Sequence, residues 1–115
     1  YARHARLART TRAAVRALGL EVVARHPVNG VTAVWGPEGV DTGELTTLMK
    51  DKYGVTIAGG QAHLKGKIFR IGHMGYVCEE DLLVCIGTLE RALAEVGYQF
   101  PLGAGVHAPL EYLAG

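Results

Sequence analysis

The chain has 115 residues and a net charge of +1 at neutral pH, with 49% hydrophobic and 20% charged residues. That length suits one domain with one core, and that balance excludes a disordered segment and gives no overall basic excess for nucleic acid. No apolar run approaches the ~18 residues of a membrane span, and the Arg-rich start lacks the apolar stretch of a secretory signal.

Ala2 to Leu18 reads as a helix, rich in the strong helix formers Ala and Arg. Arg3, Arg6, Arg9, Arg12 and Arg16 share one side of it, and Leu7, Ala14, Val15 and Leu18 the other. Gly19 suits its C-terminal cap. Glu21–Val28 reads as a connection, and Asn29-Gly30 as a turn. Val31–Trp35 is β-rich and stops at Gly36-Pro37, so it is predicted as a strand. Asp41, with Glu44 three residues on, opens a helix that carries Leu45, Leu48, Met49 and Tyr53 and ends at Gly54.

Val55–Ala58 is predicted as a second strand, broken by Gly59-Gly60-Gln61. After a connector, Lys67–Ile71 is a third strand, with Ile68 and Arg70 on one face and Phe69 and Ile71 on the other. The pair reads as antiparallel because its connector is short. Gly72-His73-Met74-Gly75 is a sharp loop. Glu79, Glu80 and Asp81 then load the N-terminus of a long helix, whose Leu82, Ile86, Leu89, Leu93 and Val96 form an apolar stripe. Gly97 ends it. Tyr98–Gly115, with Pro101, Gly103, Gly105 and Pro109, shows little period and is expected to be extended or docked on a neighbour.

The expected fold is therefore α+β: a small three-stranded, mainly antiparallel sheet with helices on one face (βαββα), preceded by a connecting helix outside that unit. The boundaries are 1–20 for the connecting helix, 21–97 for the domain and 98–115 for the tail.

Most familiar chemistry is absent. Gly66-Lys67 lacks the earlier glycine and the following Ser or Thr of a phosphate loop. His4, His26, His63, His73 and His107 show no metal-ligand spacing, so no metal is expected. Cys78 and Cys85, seven apart, do not suit a disulfide and fit a reducing, cytoplasmic setting. Cys78 near His73 has no orienting acid, and Cys85 reads as core. Arg70 is the exception. A strand-end arginine beside a glycine loop suits an anion, since its planar fork matches a carboxylate or phosphate; the structural alternative is an ion pair with an acid such as Glu79.

Gly59-Gly60, Leu64–Lys67, the run Phe69-Arg70-Ile71-Gly72-His73-Met74-Gly75 and Leu89-Glu90-Arg91-Ala92-Leu93 occur in an order that resembles one family. It is the C-terminal domain of class V, fold-type I pyridoxal-phosphate aminotransferases of the alanine–glyoxylate and serine–pyruvate kind. Some members carry the name of a soluble hydrogenase subunit. The resemblance implies that Arg70 binds the substrate α-carboxylate. It implies amino transfer between a small amino acid and a 2-oxo acid, and a homodimeric intact protein. It assigns no chemistry to His73 or Met74.

By the same resemblance the aldimine lysine, the aspartate for the pyridinium nitrogen and the phosphate contacts belong to a large domain. Lys50, Lys52, Lys65 and Lys67 do not resemble the aldimine segment, so the chain alone is expected to bind no cofactor and to be inactive. Its start at Tyr1, directly in a helical pattern, reads as a C-terminal piece of a longer protein. The alternative is a stand-alone binding or regulatory domain whose basic helix takes nucleic acid or a protein. A redox-complex subunit is disfavoured, since cluster-ligand spacing is lacking.

Overall fold

Alanine, arginine and leucine lose little side-chain freedom in a helix. In the computed structural model, which describes residues 2–23, 31–60, 64–72 and 79–114, they build α1 (Ala2–Ala17). Leu7, Ala8, Thr11, Ala14, Val15 and Leu18 are buried, while Arg6, Arg9 and Arg16 are exposed on the other side. Thr11 Oγ1 satisfies itself on the Leu7 carbonyl at 2.8 Å. Gly19, at φ +81°, allows the helix to stop. Its N–H bonds the Arg16 carbonyl and that of Leu20 bonds Val15, the paired closure of a Schellman motif.

The next segment gives β1 (Glu21–Val22), followed by β2 (Val31–Trp35), α2 (Thr42–Tyr53), β3 (Ala58–Gly59), β4 (Ile68–Gly72), α3 (Glu79–Glu95) and α4 (His107–Ala114). The sheet has four strands in the order β1-β2-β4-β3, every pair antiparallel. The α+β class matches the expectation, but the strand count of three is corrected to four. The missed strand lies in the segment read as a connection. Its two residues are too few to show alternation, and they are a strand because Val34 and Trp35 offer them a ladder. β3 also sits later than the expected Val55–Ala58 and includes Gly59.

Alternation splits the sheet into two faces. Thr32, Val34, Phe69 and Ile71 are buried, and the last three join the side chains of the helices in one core. α1 and α2 lie against the sheet, α3 packs on both, and α4 packs on α1 and α3. The expectation that the first helix stands outside the unit is therefore corrected: it is part of the core. Ala33, Trp35, Ile68 and Arg70 belong to the opposite face.

The tail is not extended. Tyr98 donates from its hydroxyl to the Leu18 carbonyl at 2.6 Å and stacks on Phe100. Glu90, only 4% exposed, accepts the N–H groups of Gly103 at 2.6 Å and Val106 at 2.9 Å. These bonds hold the turn from which α4 starts. Pro109 is in the first turn of α4, where its missing N–H costs no helical bond. The helix forms because α1 and α3 receive it, which no local period announces.

Candidate functional site

Arg70 occupies the middle of β4. Its register partners are Ala33 on β2 and Ala58 on β3, so it stands on the sheet face opposite the core residues Val34, Phe69 and Ile71, between two methyl groups. It is half-buried. Nε donates to the Gly59 carbonyl at 3.0 Å. Among the described residues no carboxylate lies within ion-pair distance of it. With Nε occupied, the two Nη groups form the remaining edge, two parallel N–H donors spaced for the two oxygens of a carboxylate.

Of the other sequence candidates, the described ones, Cys85 and His107, lie elsewhere. His26, His63, His73, Met74, Gly75 and Cys78 lie outside the described residues, and only the backbone is described for Arg3, His4 and Glu79. Cys85 is buried in the core of α3. His107 faces Glu111 on exposed α4 at 3.1 Å. Among the described residues no group of three His, Cys, Asp or Glu side chains is placed to hold a metal. None of their helices is long and apolar enough to cross a membrane.

Among the described residues, two hollows lie elsewhere. One of about 190 Å³ is lined by Trp35, Pro37, Glu21 and Glu38 among others. A shallow one of about 640 Å³ runs along α2 past Asp41, Glu44 and Asp51. Both are edged by acids, which disfavours an anionic ligand.

The four lysines test the fit to pyridoxal phosphate. A lysine that forms an aldimine must lose its proton, and burial among apolar groups favours that. Lys50, Lys52, Lys65 and Lys67 are all exposed. Lys52 pairs with Glu95, and that hydrogen bond and charge push its pKa up rather than down. All four lysines thus lie outside the apolar burial that favours a neutral amine.

Two features escaped the sequence reading. One is the Glu90 clamp, signalled only by a charge beside the apolar stripe of Ile86, Leu89 and Leu93. The other is the Gly59 carbonyl that holds Arg70, a backbone atom with no residue-type signal.

Comparison with known proteins brings the geometry into context. No protein-family model matches the chain. It is 45% identical over 117 residues to the small subunit of soluble hydrogenase from Synechococcus sp. (strain PCC 6716), covering 99% of this chain and 30% of that one. It is 41% identical over 115 residues to serine–glyoxylate aminotransferase from Arabidopsis thaliana, covering 97% and 29%. The crystal structure of ureidoglycine–glyoxylate aminotransferase from Bacillus subtilis superposes with a TM-score of 0.92 at 28% identity, covering 99% and 30%. Sequence and fold thus resemble those of pyridoxal-phosphate-dependent transferases. The relatives and structural neighbours are class V aminotransferases, and the chain matches their C-terminal portion. It spans about 30% of the length of the relatives it matches.

Proposed function

We propose that this domain supplies the substrate-carboxylate site of a pyridoxal-phosphate-dependent aminotransferase. The reaction is transfer of an amino group between a small amino acid and a 2-oxo acid of the glyoxylate or pyruvate type. The observation that carries the reading is Arg70, held through Nε by Gly59 with its Nη edge unopposed by any described acid. A permanently charged planar fork binds a carboxylate in two-point contact, and this orients the rest of the substrate. The names of the relatives, serine–glyoxylate and ureidoglycine–glyoxylate aminotransferase among them, support the substrate class.

In this reading the aldimine lysine and the phosphate contacts come from residues outside this chain, because none of its four exposed lysines suits that role. The chain alone does not transaminate. The intact protein is a cytoplasmic homodimer in which this domain closes over the substrate and excludes water.

The test is made in the full-length protein. Arg70→Lys keeps the charge but loses the fork. We expect the amino-acid KM to rise and kcat/KM to fall about 30- to 150-fold, equivalent to about 2–3 kcal/mol of lost binding. Steady-state kinetics check this, and an unchanged kcat/KM removes the assignment.

A further inference from the structure

The carbonyl that holds Arg70 belongs to the peptide joining Gly59 and Gly60. The N–H of the same peptide, from Gly60, donates to the Ile68 carbonyl on β4 at 3.1 Å. No described peptide bond is cis. In a trans peptide the C=O and N–H point in opposite directions. The Gly59 carbonyl is therefore turned away from β4, toward the open side of β3, which is an edge of the sheet. Arg70 starts on β4 and must cross β3 to reach it. Its neighbour across that register is Ala58, whose single methyl leaves the path clear.

A second restraint acts on this peptide. A Cβ at Gly60 would stand 2.3 Å from the Leu64 carbonyl oxygen and 2.9 Å from Ile68 Cγ1. Gly60 thus lies flush against the turn that leads into β4, and any side chain there forces backbone to move. Gly59 has open space at the same position. The crowding is specific to residue 60, the one whose N–H sets the plane.

We infer that the Gly59–Gly60 peptide is a positioning device for Arg70. Its carbonyl takes Nε–H and so fixes the plane of the guanidinium. The Nη pair is then presented end-on, in one orientation, to a carboxylate that accepts two parallel bonds. The selectivity this gives is for planar two-oxygen anions over ligands with a single acceptor. Gly59 and Gly60 touch no substrate; they act through Arg70. The inference rests on the carboxylate reading of Arg70.

The experiment uses the full-length holoenzyme labelled with [¹⁵N]arginine, and acetate as the carboxylate probe, read as a competitive inhibition constant. The Arg70 Nε–H signal is assigned by its loss in Arg70→Lys. In the unaltered enzyme it should exchange with solvent about tenfold or more slowly than the signals of exposed Arg9 and Arg16. Gly60→Ala should abolish that protection and raise the acetate constant and the amino-acid KM about tenfold, with a smaller change in kcat.

Exchange of the Arg70 signal as fast as that of Arg9 overturns the inference, and this result needs no variant to fold. Loss of protection in Gly60→Ala with an unchanged acetate constant also overturns it, provided Arg70→Lys raises that constant. If Arg70→Lys leaves the acetate constant unchanged as well, the carboxylate reading itself has failed, and the positioning inference falls with it.

Discussion

A buried carboxylate is costly unless its oxygens are bonded, and both oxygens of Glu90 are. The donors, Gly103 and Val106, lie 13 and 16 residues further along the chain. Gly105 between them is tightly packed: a Cβ there would stand 3.0 Å from Glu90 Oε2 and from both Leu18 methyl carbons, so those side chains would have to give way. Glu90→Gln keeps the shape but replaces one acceptor with an NH₂ that must face a backbone N–H. We expect it to cost about 1–3 kcal/mol, seen as a lower urea midpoint with an unchanged slope. An unchanged midpoint would show that the clamp does not bear on stability. Glu90 also marks how far single residues are legible. Its charge beside an apolar stripe signals a buried partner, but nothing in the sequence says which backbone groups, because they come from a loop without period. Arg70 is legible as a candidate anion-binding group from its residue type and its place before glycines. Its anchor is not, because a carbonyl's direction depends on how a peptide sits at a sheet edge.

At the scale of elements, the long helices are legible and the short strands are not. α2 has Asp41 accepting from Gly43 N at 2.8 Å at one end and Gly54 at φ +73° at the other, both carried by residue type. β1 and β3 are two residues each, and only their neighbours make them strands. The C-terminal end of α2 is tied to α3 in a way that titrates. Lys52 pairs with Glu95, and the Arg91 guanidinium lies 4.3 Å from the centroid of the Tyr53 ring. The Glu95 hydrogen bond and charge raise the Lys52 pKa above its unfolded value. A raised lysine stabilises fully below the unfolded pKa, and that contribution disappears as pH rises through the folded one. The Tm gap between the unaltered protein and Lys52→Met should therefore be small and constant through neutral pH, because the pair is exposed, and close above the lysine range. A gap that persists at strongly alkaline pH would mean that Lys52 acts through packing of its stem rather than its charge.

For the whole molecule, the question is whether α1 is an arm or part of the fold. Its arginine-rich side and alanine-heavy apolar side suggest an arm when the sequence is read alone. The physical reason this misleads is that alanines do not weaken a buried face; they let neighbours approach closely. Ala8 and Ala14 are fully buried, and α1 contacts β1, β2, α3 and α4. The Tyr98 hydroxyl on the Leu18 carbonyl and the Leu18 methyls against Gly105 join the end of α1 to the chain beyond α3. Leu7, with no exposed surface, is the sharpest probe. Leu7→Ala should cost about 2–5 kcal/mol, whereas Arg9→Ala on the exposed side should stay within about 0.5 kcal/mol. Native-state hydrogen exchange distinguishes the two architectures. If α1 shares one cooperative unit with the rest, Leu7→Ala lowers protection of Leu89 and Leu93 in α3 by as much as that of Val15 in α1. If only the α1 amides lose protection, the helix opens by itself. The sheet that carries Arg70 would then hold together without the first helix, and the position of the fork would depend on β3 and β4.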